Sequence, residues 1–414
     1  MVSQEPENLR KLRQEVRDWL EANLPKGWGT PEYVPPPPRT RAAHEFGKAW
    51  TKKLYDAGYT GFGYPKEYGG IERPPTEIRV IREELARTGQ PPGAGGLGLL
   101  VAAPTLLAAG QEWQKKRFIP KIMSGEECWA EGFSEPDAGS DLANVQTTAV
   151  RDGDEWVVNG QKVWSSSFEF ADWGVLLVKT DLEAPRHRNL SFFLYSTSYP
   201  GYSRRPLRQM TGDAPFGEQF FDNVRIPHEN LLGEIGRGWY VAMATLERER
   251  GGGAVAGGGV ADIAGLGAAA GLGRARAGGY GVGGIIELAR EVKRYGKAVW
   301  DDPLFRQKIA QIAIESQAAT TNGQRNVARR RKGQLTGFEV SISKNYRSEM
   351  GQRRGDMVME IIGAYSQLMR DSKYAVDNGA WVYTMLSSRG STIAEGTSEI
   401  NRNIIAERML GLPR

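Results

Sequence analysis

Twice along this chain the spacing of apolar residues changes, and the two changes divide it into three stretches. In the first, Leu12, Val16, Leu20 and Leu24 form a four-residue stripe within Leu9–Leu24, which predicts a helix with one buried face. Ala42–Ala57, Pro75–Thr88 and Gln111–Ser124 read as further helices, and Pro35–Pro38 as a stiff, extended linker. From Trp129 to about Leu232 short β runs take over, at Trp156–Val158, Trp173–Lys179, Leu190–Tyr195 and Glu218–Phe221, separated by Asp, Gly and Pro turns. From about Gly236 helical character returns, in Gly238–Arg250, Pro303–Asn326, Val340–Ile361 and Ser372–Leu386. The order predicts a multidomain α+β chain with a small barrel or sandwich in the middle, and 414 residues suffice for two or three sizeable cores.

Two segments carry chemistry. Ile393–Arg402 reads Ile-Ala-Glu-Gly-Thr-Ser-Glu-Ile-Asn-Arg, which joins the carboxylate of Glu395 to a glycine turn and the opening of a helix. Such a turn offers N–H groups and hydroxyls to a phosphate or carbonyl oxygen, and holds Glu395 where it can remove a proton. The plainer reading has Thr397 or Ser398 capping the last helix and Glu395 in solvent. Phe133–Leu142, Phe-Ser-Glu-Pro-Asp-Ala-Gly-Ser-Asp-Leu, is a turn punctuated by Pro136 and Gly139, with Ser134 and Ser140 on either side. Downstream, Asn159-Gly160 between apolar runs predicts a hairpin that delivers Trp164, Ser165 and Ser166 to a strand end. A Trp there suits either a flat ring system or the cover of a sheet.

Together with Phe221–Pro227, Leu231–Gly233 and Ile393–Arg408, these runs resemble the acyl-CoA dehydrogenase family, in family order and over nearly the whole chain. Gly63–Gly70 is similar to a loop of its bacterial branch. The resemblance implies an N-terminal helical domain over 1–128, a central β-barrel over 129–232 and a C-terminal four-helix bundle over 233–414.

Composition agrees. No apolar run approaches the roughly 20 residues that span a bilayer, and Met1–Glu7 lacks the features of a secretory signal, so the expected location is cytoplasmic. One cysteine, Cys128, and three separated histidines argue against a disulfide framework or a metal centre. The net charge of +5 is spread among acidic residues, and no nucleic-acid motif accompanies it; an excess of positive charge suits a polyanionic thioester such as coenzyme A.

Desaturating an acyl thioester removes an α-proton and a β-hydride, and no side chain accepts hydride, so a redox cofactor is required. The resemblance implies FAD. It places Phe133, Ser134, Gly139, Ser140, Trp164, Ser165 and Ser166 on the flavin from the barrel, and Gly363, Thr397, Ser398 and Glu399 on it from the C-terminal domain. Glu395 is the implied general base, Arg250 its charged neighbour, and Gly396 the point of close substrate approach, with Ser140 and Arg250 also on the substrate. Glu249 is the alternative base, since some branches of the family supply it from that position. The implied partners are an acyl-CoA, an electron-transferring flavoprotein and further subunits in a homo-oligomer, a dimer or tetramer.

The sequence departs from the family in three places. The diphosphate segment Gln-x-x-Gly-Gly is matched by Glu360–Ala364, and Arg-x-x-Phe-Gly by Val292–Gly296, where Arg290 or Arg294 is left to replace the arginine. Gly251–Gly284 contains fifteen glycines, each costing a helix interior roughly 0.5–1 kcal/mol, so close helix packing and a loop over the acyl pocket both stay open. These departures favour a second expectation beside the active dehydrogenase: a non-catalytic or structural subunit of a hetero-oligomer. An oxygen-using oxidase is a further alternative.

Overall fold

The computed structural model describes residues 5–247 and 280–413, apart from 31, 90, 92, 95, 335, 336 and 371. They form two compact units, one of residues 5–207 and 215–247, the other of 208–214 and 280–413. Among the described residues no helix is long and apolar enough to cross a membrane.

The first unit opens with α1 (Glu7–Asn23), α2 (Arg41–Asp56) and α3 (Pro75–Arg87). Of the predicted stripe, Leu12, Val16 and Leu20 are buried, together with Leu9, against Trp50, Leu54, Val80 and Ile81, while Leu24 caps the helix and is half-buried on the same core. A π-helical turn at Gly98–Ala102 leads into α4 (Ala103–Ala109), a helix the sequence reading missed, and α5 (Glu112–Met123) follows.

Seven strands form one open sheet, the central half-barrel: β1 (Trp129–Gly132), β2 (Thr148–Asp152), β3 (Glu155–Ser166), β4 (Trp173–Lys179), β5 (Leu190–Ser196), β6 (Tyr202–Leu207) and β7 (Phe216–Pro227). Their order is β1-β4-β2-β3-β7-β6, with β5 also on β4. Strand β4 is an unbroken apolar run because both its faces are covered. Val175 and Leu177 pack with Leu106, Phe118 and Ile119 of the helices, while Leu176 and Val178 pack with Trp156, Phe193 and Phe221. The shared core makes the N-terminal helices and the sheet one unit. Ala242 of α6 (Gly238–Glu247) joins it too, so this helix, expected in the C-terminal domain, belongs to the first unit.

The predicted hairpin at Asn159-Gly160 is overturned. Strand β3 runs straight through it, and the turn falls earlier, at Gly153. Asn159 instead faces a bulge in β7: the register shifts between Val158 and Gly160, and the extra residue falls at Asp222-Asn223, where Asn223 has φ of +52°. Glycine is required because a Cβ on Gly160 would stand 2.4 Å from the Thr147 hydroxyl.

The second unit contains α7 (Val282–Glu291), the short β8 (Lys293–Arg294) and β9 (Lys297–Ala298), α8 (Pro303–Arg331), α9 (Glu339–Ile362), α10 (Ala380–Ser391) and α11 (Ser398–Ile404). Its core joins Ile285, Leu288, Phe305, Ile309, Val358, Ile361 and Trp381. The helix expected from Ser372 starts only at Ala380, since Asp377, Asn378 and Gly379 all have positive φ and break it.

Candidate active site

Each unit holds one group of the predicted site residues. In the first, the segment after β1 is fastened to β3 by a buried ion pair. The Lys162 ammonium donates to Glu135 Oε1 at 2.8 Å and to the Phe133 carbonyl at 3.1 Å, and the side chain is fully buried. Glu135 also accepts from the backbone N–H groups of Gln146 and Thr147. Burial pushes the Lys162 ammonium down to about 8. Burial works against the Glu135 carboxylate as well, but the charge of Lys162 and the Gln146 N–H outweigh it and hold the pKa below the ordinary range. The backbone continues the fastening, with Val163 N–H donating to the Ser134 carbonyl at 2.9 Å.

Beyond Lys162 the register between β3 and β7 shifts again. Trp164 lies in that bulge with φ of +62°, a conformation rarely taken by a bulky residue, and it is 55% exposed. Ser165 is buried and its hydroxyl accepts from Gln219 Nε2, whose second hydrogen goes to the Glu131 carbonyl at 2.9 Å. Tyr195 and Tyr202 donate to the Gln219 carbonyl oxygen. Phe133 is buried, Ser134 and Ser166 are half-buried, and Gly139 and Ser140 are exposed. A Cβ on Gly139 would meet open space. An open rim of Gly139 and Ser140 and an outward-turned indole suit a flat, phosphorylated cofactor such as FAD.

Lys162, Gln219 and Glu131 were missed from sequence. Lys162 had a readable signal, sharing the period-2 face of the buried Trp156 and Val158. Glu131 is half-buried on β1, two residues before Phe133, and burial pushes its carboxyl up to about 7. A separate groove of about 360 Å³ between α4 and α6 is lined by Pro104, Thr105, Ala108, Val241, Ala244 and Thr245, and by none of the predicted site residues.

In the second unit, Glu395 and Gly396 are consecutive residues of positive φ, +58° and +84°. Glu395 is half-exposed. Thr397 caps α11, its hydroxyl accepting from Ile400 N–H at 3.2 Å. Ser398 is buried, and its Oγ has no hydrogen-bond partner among the described residues. Glu399 is exposed, and hydrogen bonds from its own backbone N–H and from Thr397 hold its carboxylate below the ordinary range.

Gly363, φ +65°, lies beside Arg294: a Cβ there would stand 3.4 Å from Arg294 Nη2. That guanidinium donates to the Glu360 carbonyl and lies over the Phe305 ring. Arg290 instead lies over Trp300, and the Glu360 carboxylate pairs with Lys308. Of the two arginines, Arg294 is the one next to the diphosphate-like segment. Glu249, Arg250 and the glycine-rich residues up to 279 lie outside the described residues.

Residues 6–126 match the acyl-CoA dehydrogenase N-terminal domain, 130–224 the middle domain and 236–410 the C-terminal domain. The chain is 36% identical to acyl-CoA dehydrogenase IpdE1 of Mycobacterium tuberculosis over 413 residues, 99% of each protein. It is 36% identical to IpdE1 of Mycolicibacterium smegmatis over 416 residues, 98% of each. Among solved structures it is similar to the Tcur3481-Tcur3483 steroid ACAD, with a TM-score of 0.74, 29% identity and full coverage of both chains. The ChsE4-ChsE5 complex from Mycobacterium tuberculosis matches at a TM-score of 0.74 and 27% identity, again over both whole chains. With all three domains matched in order, the chain belongs to the acyl-CoA dehydrogenase family, a family of FAD-dependent oxidoreductases.

Proposed function

We propose that this chain desaturates an acyl-CoA thioester to the trans-2-enoyl-CoA, with Glu395 removing the α-proton. FAD, when bound, takes up the β-hydride. The observation that carries the reading is backbone strain at two predicted site residues on separate scaffolds, Trp164 at φ +62° and Glu395 at φ +58°. Non-glycine residues in that region cost about 1–3 kcal/mol each and persist where position matters.

Phe133, Ser134, Gly139, Ser140, Trp164 and Ser166 hold the flavin, with Trp164 presenting its indole as a wall. Thr397, Ser398 and Glu399 belong to the C-terminal side of the cofactor site. Glu395 takes the proton, its backbone N–H stabilises charge developing on the thioester oxygen, and Gly396 lets the substrate approach. Arg250 stands beside the thioester, and Glu249 is the alternative base. Electrons leave to an electron-transferring flavoprotein.

Because the chain is similar to a steroid ACAD, steroid-derived thioesters head the substrate panel. Its similarity to the two-protein Tcur3481-Tcur3483 and ChsE4-ChsE5 structures, with Glu360 and Ala364 where the family has Gln and Gly, favours a second reading: one subunit of a hetero-oligomer, in which this chain supplies part of a shared flavin site. Anaerobic titration of the FAD-loaded protein with straight-chain, branched and steroid-derived acyl-CoAs tests the first reading. Bleaching of the flavin by any of them supports it. No bleaching by the chain alone, but bleaching once a co-expressed homologue is present, supports the second.

A further inference from the structure

The two consecutive left-handed residues at Glu395 and Gly396 are an unfavourable backbone for the first of them, so something must hold the turn. Two side chains from different helices grip its carbonyls. Asn401, on α11 and wholly buried, directs one amide at three successive carbonyls: Gly396 at 2.7 Å, Thr397 at 3.0 Å and Glu395 at 3.4 Å. Lys344, on α9 and 3% exposed, donates its ammonium to the Gly396 carbonyl at 2.6 Å. The next residue, Asn345, donates to the Ser398 carbonyl at 3.1 Å.

This arrangement is expensive. Among the described residues, Asn345 Oδ1, Asn401 Oδ1 and Ser398 Oγ are buried without a hydrogen-bond partner, and the Lys344 ammonium is held out of water. A methionine at 344 and an apolar residue at 401 would pack the same space at lower cost. The expense is accounted for if the polar groups fix the turn.

We propose that Lys344 and Asn401 are positioning residues for the base: by gripping the carbonyls of residues 395–397 they hold Glu395 in its left-handed conformation. This rests on the reading of Glu395 as the base. The carbonyl of a trans peptide points opposite to the following N–H, so gripping these carbonyls also sets where the N–H groups of Gly396 and Thr397 point. Lys344 acts from 52 residues away in sequence, on a helix that is otherwise part of the core packing.

Backbone hydrogen exchange on the FAD-loaded protein tests the grip without any substrate. In Lys344→Met, peptides spanning 392–401 are expected to exchange about tenfold faster while those of α8 are unchanged, and Lys344→Arg restores the wild-type rate. Asn401→Ala gives the same local pattern. With the acyl-CoA that bleaches the wild-type flavin fastest, Lys344→Met lowers kcat about tenfold or more with little change in KM, because the chemical step is affected and not binding. Unchanged exchange over 392–401, acceleration spread equally over the whole unit, or equal kcat in Lys344→Met would each overturn the proposal. If no acyl-CoA bleaches the wild type, the functional reading fails, while the exchange comparison still decides whether the grip exists.

Discussion

The proposed flavin loop on the sheet and the Glu395 turn in the helical unit hold their residues by different means. On the sheet, the fastening is a fully buried ion pair plus a glutamine that spends both amide hydrogens. In the turn, the backbone itself is strained, and side chains grip its carbonyls. The sheet loop is therefore stabilised by charges that need each other, and the turn by side-chain donors, from Lys344 and Asn401, on its backbone carbonyls. Losing one partner leaves an uncompensated buried charge in the first case, and a relaxed backbone in the second. Mutations should reveal this as global against local damage.

The largest effect falls on the ion pair. Lys162→Met strands the buried Glu135 carboxylate and should lower the unfolding free energy by about 3–5 kcal/mol in denaturant titrations. The double change Lys162→Met with Glu135→Gln should cost clearly less than the single one. A loss under about 1 kcal/mol for Lys162→Met would break the comparison, since the pair would then be no more than packing.

Glu84 sharpens it, as an ion-paired carboxylate in the same unit whose partners reach solvent. It accepts from Arg17, Arg13 and Arg87, and these bonds, Arg17 foremost, hold its carboxyl down at about 2 against an ordinary 4.5. A depressed folded pKa means stability that is fully present above pH 4.5 and lost as pH falls toward about 2. Because Arg13, Arg17 and Arg87 are 20%, 43% and 54% exposed, the loss should be about 1–2 kcal/mol, less than the full shift implies. Glu84→Gln should flatten this part of the acid-unfolding curve; an unchanged curve would remove Glu84 as a source of acid sensitivity.

The smallest effect concerns the helical unit's diphosphate-like segment. Arg294→Gln should weaken FAD binding about tenfold, as loss of one charged hydrogen bond does, and Arg290→Gln should leave it nearly unchanged. Glu360→Gln, which removes a negative charge beside the same segment, should tighten it. Equal effects of the two arginine changes would separate Gly363 from the cofactor.

What could be read in advance follows the same division. The α1 stripe was legible because its buried residues recur at helical spacing, and β4 because an unbroken apolar run suits a strand covered on both faces. Helix α4 was not: it is only seven residues long and contains Pro104, which is tolerated because it sits in the first turn. Asn159-Gly160 carried the strongest local turn signal and became continuous strand, because a tertiary contact, the approach of Thr147, decided the use of its glycine. The Glu395 turn was visible as a motif. Its grip was not: Lys344 is one lysine among many until the fold brings it to the Gly396 carbonyl. Lys162 and Gln219 escaped for a related reason, as polar residues on a strand are ordinarily read as facing water.

The central claim is that Glu395 is the base of an acyl-CoA desaturation, and Glu395→Gln tests it most directly. Wild type and variant, both loaded with FAD, would be mixed anaerobically with the same acyl-CoA and the flavin absorbance followed in a stopped-flow instrument. The account predicts rapid bleaching in the wild type and a rate lower by about a hundredfold or more in Glu395→Gln, with FAD content unchanged. Bleaching at the wild-type rate in the variant would contradict it and move the role to Glu249.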